Sequence, residues 1–446
     1  MFQYAVAMRG TVAVIVLVSL AGAAGADNLS GDWIFTEKIF GLSRGSRLTL
    51  KQEGAKLVGM LADATDDLPV TGTIDGTKVT LTVRPKDPAD SLELVAVSGR
   101  DGLAGEAIRR GKQAERNVTT SWTATRMPTN RSTSPQTHTF TPTTFARAFS
   151  PVDPPVLRVW PGDIIKTTSV DAAGVDATAK PRVLGGNPLT GPFHVETAMP
   201  GDVLAVKIRR LTLNRDYAFS ARRLIDRALT RTQAEKFKDV APAQLRWTLD
   251  RKRGLARLAE PSPALASYTV PVHPMLGCVG VAPRFDSPPI SSRDEDYFGG
   301  NLDFAEVTDG ATVLLPVNVP GALLYVGDAH AVQGDGELTG SALETSLDIE
   351  ISVDLLRGKR WKGPRVETDQ YIMSIGLDGS LDAALARATS DLADWLEVEY
   401  KLKPEEVAPI FGTALEYRIA EIADRNVNVV AKLRKERLVR VVGTGP

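Results

Sequence analysis

Short apolar runs alternate with turn residues from about residue 27 to residue 126. Strand-like runs lie at 33–35, 48–50, 56–58, 79–82 and 92–95. Breaks that contain Gly or Asp, such as Glu53-Gly54 and Asp75-Gly76, separate these runs. Strands at this spacing predict a small antiparallel β-barrel or sandwich over residues 27–126.

A change of composition follows this first unit. Residues 127–137 read MPTNRSTSPQT, and a Pro/Ser/Thr-rich segment of this kind predicts a linker. A long second unit, 138–446, comes next, and strand-like runs fill its first two thirds. Two Pro-Gly-Asp turns, within 160–163 and 199–202, each stand directly before such a run. We therefore predict a second unit that is mainly β, with helices towards its end.

Three segments of the second unit are predicted to be helical. Residues 215–260 are basic with interleaved acidic residues, as on a solvated helix face. Apolar residues recur at helical spacing over 381–396, after Ser380 as a plausible N-cap. Pro404 opens a further helix, which is expected to reach about Ile422.

Composition excludes several classes of protein. The 446 residues include 53 Lys+Arg and 54 Asp+Glu, a formal net charge of -1, and one cysteine. Because there is no global positive field, we expect no nucleic-acid partner. One cysteine excludes an internal disulfide and a multi-cysteine zinc site. Hydrophobic residues make up 43% of the chain, enough to build substantial cores.

Residues 1–26 have the pattern of a secretory signal peptide. Arg9 precedes an apolar run over 11–20, and the segment ends in Ala24-Gly25-Ala26. This order predicts cleavage after Ala26. A membrane anchor is the alternative, but the run is short for a membrane span. We expect a periplasmic or secreted protein that has no membrane contact after cleavage.

Polar residues concentrate in one stretch, 299–344, where packing does not require them. An apolar strand there runs into Gly327-Asp328-Ala329-His330. Asp328 and His330 are two apart, so both side chains share one face if the backbone is extended. A carboxylate beside an imidazole can ligate a divalent metal or orient a general base. The stretch contributes six candidate site residues: Asp303, Asp328, His330, Asp335, Glu337 and Glu344.

Other chemical signals are weak. His138, His194 and His273 are isolated, and a structural role is expected, although His194 or His273 could join the site from another loop. Cys278 has apolar neighbours and is expected in the core. Residues 41–45 spell G-x-S-x-G, but a β run follows instead of a helix, which indicates a coincidence.

Several stretches of the second unit resemble the acetamidase/formamidase family. They are NPLTGPFHVETAMPGDVLAVKI (187–208), HPMLGCVGVAP (273–283), GGNLDF (299–304), VPGALLYVGDAHAVQGDGE (319–337) and GSALE (340–344). ETDQYIMSIG (367–376) and EYRIAEIADRNVNVVAKL (416–433) are similar to its C-terminal part. The resemblance covers residues ~150–435 and does not include the first unit.

The resemblance implies a β-sandwich-like fold with C-terminal helices. It also implies hydrolysis of a formamide-like or acetamide-like primary amide to the carboxylate and ammonia. The residues expected to be catalytic are Asp328, His330, Glu337 and Glu344. Those expected to contact the substrate are Asn301, Gly300 and Gln333, and those expected to ligate a metal are Asp303, Asp328, His330 and Asp335.

Water activated by a metal or by a carboxylate is the expected nucleophile, since no serine-lysine amidase arrangement is present. Asp and Glu with one His suit Zn²⁺ or Ca²⁺, and no organic cofactor is expected. The small amide is the expected partner, and a homodimer is left open. The alternatives are a non-catalytic extracytoplasmic binding protein with a degenerate amidase unit, and a C–N hydrolase for a larger amide.

Overall fold

The computed structural model describes residues 28–111, 117–128 and 134–442. The predicted signal peptide and the middle of the predicted linker lie outside these ranges. The described residues form a mainly β protein, in which a small antiparallel barrel precedes a larger β-rich unit with C-terminal helices. The predicted fold class is confirmed.

The first unit is a closed barrel in which each strand pairs antiparallel with the next and the last pairs with the first. Its strands are β1 (Gly31–Ile39), β2 (Leu42–Glu53), β3 (Lys56–Ala62), β4 (Asp67–Asp75), β5 (Lys78–Val83), β6 (Ser91–Gly99), β7 (Gly102–Arg110) and β8 (Val118–Arg126). Alternate side chains point inward, so Phe35 of β1 packs 5.2 Å from Trp122 of β8 between ring centres. Closure leaves no sheet edge, which distinguishes the barrel from a sandwich.

The G-x-S-x-G spelling at 41–45 falls on the hairpin between β1 and β2. Ser43 lies within β2, and another strand, β3, follows it. A nucleophile elbow requires a helix after the serine. The coincidence expected from the sequence is therefore confirmed.

The second unit consists of many shorter strands. In chain order these are β9 (Thr137–Thr139), β10 (Ala148–Phe149), β11 (Leu157–Val159), β12 (Ile164–Thr168), β13 (Leu189–Val195), β14 (Val203–Leu213), β15 (Tyr217–Ala221), β16 (Gln244–Asp250), β17 (Leu255–Leu258), β18 (Thr269–Pro271), β19 (Met275–Gly280), β20 (Ile290–Ser291), β21 (Glu295–Asp296), β22 (Gly299–Asn301), β23 (Thr312–Pro316), β24 (Leu324–His330), β25 (Glu344–Thr345), β26 (Leu347–Leu356), β27 (Arg365–Glu367), β28 (Tyr371–Asp378), β29 (Glu416–Glu421) and β30 (Val427–Arg434). Strand β9 begins on the last residue of the predicted linker and pairs with β12.

Two sheets form the body of the second unit. One has the order β29-β30-β28-β27-β23-β14-β26-β12-β9, and the other β18-β17-β16-β15-β25-β24-β19-β22-β21, where β24 also pairs with β13 and β13 with β11. Strands β10 and β20 form a separate pair. Buried residues of β14 and β26 share one core with those of β19 and β24. The two sheets therefore pack face to face, which is the sandwich-like arrangement that the resemblance implies.

The helices are α1 (Arg231–Phe237), α2 (Leu381–Glu399), α3 (Pro404–Ala414) and α4 (Lys435–Val442), with 3-10 turns at Asp226–Ala228 and Pro263–Leu265. Helix α2 lies on the outer face of the nine-stranded sheet, where Leu392 and Trp395 pack against Ile372 and Leu433. Ser380 caps α2 as predicted, since its hydroxyl accepts a hydrogen bond from the Ala383 N–H (3.3 Å).

Two helix predictions are wrong in extent. Residues 215–260 contain little helix, because Trp247 and Leu249 are buried on one face of β16 at strand spacing. The helix that begins at Pro404 ends at Ala414 rather than near Ile422. The chain continues from there as strand β29, which pairs with β30 and so cannot be helical.

Both Pro-Gly-Asp turns precede a strand, as predicted. The first leads into β12 and the second into β14, and these strands pair antiparallel with opposite edges of β26. The repeated turn thus marks equivalent places on either side of one central strand.

The barrel contacts the second unit through Asp202, which is buried. Its Oδ2 accepts hydrogen bonds from Nη2 of Arg47 in the barrel (2.8 Å) and Nη1 of Arg357 in the second unit (2.9 Å). Arg360 also pairs with Asp67 of the barrel through both terminal nitrogens. Across the described ranges, every helix is too short or too polar to cross a membrane.

Candidate functional site

Strand β24 brings Asp328 and His330 into the interior of the second unit. Asp328 is 2% exposed and His330 is 1% exposed. The distance from His330 Nε2 to Asp328 Oδ2 is 3.6 Å, so the two side chains do share one face. The reason differs from the expected one, because Asp328 has φ 50 and is not extended.

His330 is surrounded by carboxylates. Its Nε2 lies 3.2 Å from Glu344 Oε2, and its Nδ1 lies 3.7 Å from Asp303 Oδ1. Glu344 is the cross-strand partner of His330, on β25. Burial alone would lower the pKa of His330, but the charges of Glu344 and Asp328 raise it well above its usual value.

Gln333 fixes the orientation of the His330 ring. Its amide nitrogen donates to the backbone oxygens of Asp303 and Ala420, the latter at 3.3 Å. Its Oε1 therefore faces His330 Nδ1, at 2.9 Å, and accepts a hydrogen bond from it. Nδ1 therefore carries a proton, and Nε2 is the ring nitrogen that faces Glu344 and Asp328.

Asn301 holds the carboxylate of Asp303 in place. Its Nδ2 donates to Asp303 Oδ2 (2.6 Å) and to Asp424 Oδ2 (2.8 Å). Its Oδ1 accepts from Asn187 Nδ2 (3.0 Å) and from the Cys278 thiol (2.7 Å). Both ends of the Asn301 amide are therefore engaged within the protein.

Burial and mutual repulsion raise the pKa values of the carboxyl groups. Burial raises the pKa of Asp328 to about 6, although His330 opposes the shift. Burial, followed by the charges of Glu337 and Asp328, raises the pKa of Asp303 well above its ordinary range. Burial likewise raises the pKa of Glu337. The cluster thus favours the protonated form of these carboxyl groups more strongly than water does.

Four residues of the cluster adopt left-handed backbone conformations. These have φ values of 53 at Asn187, 38 at Asp303, 50 at Asp328 and 46 at Glu337. Residues other than glycine rarely adopt this region, and such strain concentrates at functional sites. The local backbone is therefore held by the surrounding sheets in a conformation that aims the polar groups inward.

Several buried polar atoms of the cluster lack a hydrogen-bond partner. Among the described residues these include Asp303 Oδ1, Asp328 Oδ1, His330 Nε2 and Glu344 Oε2. Nε2 is close to two carboxylates, but the geometry is not that of a hydrogen bond. One ligand atom each from Asp303, Asp328 and His330 lies within 4.8 Å of the others, and the same holds for His330, Glu337 and Glu344.

Two residues predicted for the site, Asp335 and Gly300, contribute no side chain to this cluster. Both carboxylate oxygens of Asp335 accept from Arg418, at 2.6 and 2.7 Å, and its side chain is 44% exposed. Gly300 is buried beside the cluster, where its φ of 113 and the closeness of Asp294 explain the absence of a side chain. Asp303, Asp328, His330, Gln333, Glu337 and Glu344 are brought together, with Asn301 at their side.

The other histidines lie elsewhere. His138 pairs with Asp163 (3.0 Å), His194 bonds to Arg158 (2.9 Å), and His273 is exposed. Their structural role is what the sequence led us to expect.

Sequence reasoning missed three members of the cluster. Asn187 donates to Asp328 Oδ2 (2.9 Å) from the loop before β13, and Asp424 arrives from the turn before β30. Cys278 is buried in the core as predicted, yet its thiol also bonds to Asn301. All three lie inside stretches that resemble the family, and this resemblance was the signal that could have identified them. The residues next to each of them in the sequence give no indication of a functional site.

Comparisons with known proteins address the identity of the second unit. The model of the Acetamidase/Formamidase family matches residues 288–431. An acetamidase of Mycolicibacterium smegmatis is 44% identical over 61 residues, 14% of this chain and 15% of that protein. A formamidase of Methylophilus methylotrophus is 42% identical over 60 residues, 13% of this chain and 15% of that protein. These matches support the acetamidase/formamidase family.

Solved structures extend the likeness to the whole second unit. A predicted acetamidase/formamidase from Thermoanaerobacter tengcongensis has a TM-score of 0.58 at 27% identity, covering 69% of this chain and 98% of that one. An acetamidase from Yersinia enterocolitica has a TM-score of 0.57 at 27% identity, covering 69% and 94%. The curated relatives, by contrast, are aligned over only 15% of their length.

Proposed function

We propose that the protein hydrolyses a short linear primary amide, of the formamide or acetamide class, to the carboxylate and ammonia. The observation that carries this proposal is the convergence of unpartnered polar atoms of Asp303, Asp328, His330 and Glu344 in one buried cluster. Leaving such atoms without partners is costly, so a ligand or a reaction is the physical reason to retain them. The relatives, named an acetamidase and a formamidase, support the same chemistry.

The exposure of the side chains supports a small substrate. Those of Asp303, Asp328 and His330 are at most 2% exposed, whereas that of Glu344 is 13% exposed. In this proposal the amide reaches the cluster past Glu344. A compact amide fits such an enclosed site with less rearrangement of the surrounding core than a bulky one.

We propose that Asp303, Asp328 and His330 hold a divalent metal, Zn²⁺ or Ca²⁺. One ligand atom of each residue lies within 4.8 Å of those of the other two. Each residue also carries a buried atom without a hydrogen-bond partner, namely Asp303 Oδ1, Asp328 Oδ1 and His330 Nε2, since Gln333 occupies Nδ1 of the imidazole. A set of carboxylates with one imidazole suits Zn²⁺ in particular. When bound, such an ion would lower the pKa of water and polarise the amide carbonyl.

Glu344 and Glu337 are proposed to accept and donate the proton. Hydrolysis breaks the C–N bond, forms a C–O bond and moves one proton from water to the departing nitrogen. Glu344 Oε2 has no hydrogen-bond partner, so it can accept the proton of the attacking water. Burial raises the pKa of Glu337 well above its usual range, which favours the protonated carboxyl group, and Glu337 is therefore the proposed donor of a proton to the departing nitrogen.

Ammonia release from formamide, acetamide and bulkier amides tests this proposal. We expect His330→Ala and Asp328→Asn to lower kcat/KM by at least about 100-fold, because each removes a group that handles charge in the reaction. His194→Ala, in a histidine outside the cluster, is the matched control. Metal content, measured on the same samples, distinguishes a lost ligand from a lost base.

Three outcomes would contradict it. If both cluster variants released ammonia at the wild-type rate, the assignment of the site would be wrong. No ammonia from any amide, with retained binding, would favour the non-catalytic alternative, whereas preference for a bulky amide would favour the larger-substrate hydrolase.

We also propose that the protein acts outside the cytoplasm. The support is the order of Arg9, the apolar run and Ala24-Gly25-Ala26 in the sequence. N-terminal sequencing of exported material should begin near Asp27. Mature protein that retains residues 1–20 would contradict cleavage.

A further inference from the structure

A second cluster of carboxylates lies next to the first. Glu295 comes from β21, Glu421 from the end of β29, and Asp424 from the turn that follows it. One oxygen of each lies within 4.8 Å of the others. Glu295 is 1% exposed and Glu421 is 0% exposed, so water does not screen their charges.

The oxygens of this cluster are poorly satisfied by the protein. Glu295 has no hydrogen-bond partner on either carboxylate oxygen, and neither has Glu421 on Oε1. Glu421 Oε2 accepts from the backbone N–H groups of Ala423 (2.7 Å) and Asp424 (3.0 Å). Burial and the neighbouring charge of Glu421 raise the pKa of Glu295 to about 10, which shows how strongly the site resists negative charge.

Arg227, a basic residue beside this cluster, forms hydrogen bonds to the backbone of the turn and not to its carboxylates. Nη1 of Arg227 donates to the backbone oxygens of Ile422 (3.2 Å) and Asp424 (3.0 Å). Among the described residues, no lysine or arginine forms an ion pair with Glu295, Glu421 or Asp424. Three buried or half-buried carboxyl groups thus meet without a cation of the protein's own.

We propose that Glu295, Glu421 and Asp424 bind a hard divalent cation, Ca²⁺, at a second site that adjoins the His330 cluster and is separate from the metal ligands proposed there, Asp303, Asp328 and His330. The candidate ligands are all oxygens, which suit Ca²⁺, whereas the set at His330 includes a nitrogen. A bound ion would neutralise the repulsion among these groups and satisfy the oxygens of Glu295.

The proposed ion would also stabilise the His330 cluster indirectly. Asp424 Oδ2 accepts a hydrogen bond from Asn301, and Asn301 in turn holds Asp303. An ion on Asp424 fixes the end of this chain of hydrogen bonds. It would also tie β21 to the turn between β29 and β30.

The test measures Ca²⁺ binding to the full chain, without use of activity. After treatment with a chelator, wild-type protein is titrated with Ca²⁺ by calorimetry and by thermal melting. We expect a saturable rise in Tm. Glu295→Gln and Glu421→Gln should each weaken Ca²⁺ binding at least tenfold and remove the rise, whereas His330→Ala should keep it.

The opposite pattern overturns the proposal. The proposal is wrong if wild-type protein does not bind Ca²⁺. It is also wrong if His330→Ala loses Ca²⁺ binding while Glu295→Gln retains it. If a glutamine variant fails to fold, Zn²⁺ competition on the wild type decides the question. Saturating Zn²⁺ should leave Ca²⁺ bound, and its complete displacement would show that the two ions share one site.

Discussion

A β-carbon placed on Gly277 would lie 2.7 Å from Oδ2 of Asp328. It would lie closer still to Oδ1 of Asp303. The two carboxylates thus rest directly on a stretch of backbone that must have no side chain. Gly277 is on β19, between the strand that carries Asp328 and the turn that carries Asp303.

Gly277→Ala should displace both carboxylates and lower the proposed amidase activity by on the order of 100-fold, since small misplacements in an active site have costs of that size. Gly412→Ala is the control, because a β-carbon there meets no atom within 4 Å. Ammonia release and thermal melting should be measured on both. Unchanged activity in Gly277→Ala would show that the carboxylates do not need their present positions.

Gln333→Leu should lower kcat/KM by roughly 10–100-fold, as loss of partners that orient a histidine commonly does. The reason is that His330 Nδ1 loses its acceptor while the volume of the side chain is nearly preserved. A positioning role predicts a changed pH profile, and Gln333→Glu should restore part of the activity because it keeps an acceptor. A loss of stability alone, with an unchanged profile, would indicate a structural role.

Cys278 should remain unmodified by iodoacetamide at pH 8 in the folded protein. Burial, reinforced by the charges of Asp328 and Asp303, raises the pKa of the thiol, and the thiolate is the reactive form. Mass spectrometry should find the label only after denaturation. Rapid labelling of native protein with parallel loss of activity would instead indicate a nucleophilic cysteine.

His194 should make the stability of the second unit depend on pH between about 4 and 6.5. Burial and the charge of Arg158 lower its pKa to about 4, below the unfolded value. As pH falls through this window the unfolded chain binds a proton that the folded chain does not, so stability decreases. The effect is at most about 3 kcal/mol for a shift of this size.

Urea unfolding at pH 4 to 7 measures this effect. His194→Gln should flatten the pH dependence over the window, whereas the same change at the exposed His273 should leave it as in the wild type. A wild-type slope that survives in His194→Gln would assign the dependence to other groups.

Residues 134–446 should fold without the barrel and retain the proposed activity. The site lies within the second unit, and Asp202 keeps Arg357 when Arg47 is removed. We expect cooperative melting with a Tm a few degrees lower, because removal of the barrel breaks the Arg47–Asp202 and Arg360–Asp67 contacts. An aggregated product would show that the barrel is needed for folding.

Local patterns in the sequence predicted five of the eight barrel strands (β1, β2, β3, β5 and β6), both Pro-Gly-Asp turns and the cap of α2. Each depends on residues that are close in the chain, so the signal is local. The segment 215–260 was wrongly predicted to be helical because its charges concealed the alternation that places Trp247 and Leu249 on one face of β16.

The sequence predicted only those site residues that lie within the single stretch 299–344. Asp328, His330 and Glu344 lie on neighbouring strands, and their polarity within apolar surroundings identified them. Asp335 is in the same stretch but turns outward to Arg418. Asn187 and Asp424 approach from separate loops and Glu295 from strand β21, and only the pairing of distant strands brings them there.

The left-handed conformations at Asn187, Asp303, Asp328 and Glu337 have a consequence for the thermal behaviour of the protein. Each has a cost on the order of 1 kcal/mol, which the packing of the two sheets must offset. On heating, we expect side-chain packing to loosen before the sheets separate. The four residues in left-handed conformations then release their strain energy by changing conformation. The protein would then become inactive while its strands are still paired, so enzymatic half-life and melting temperature would measure two different events.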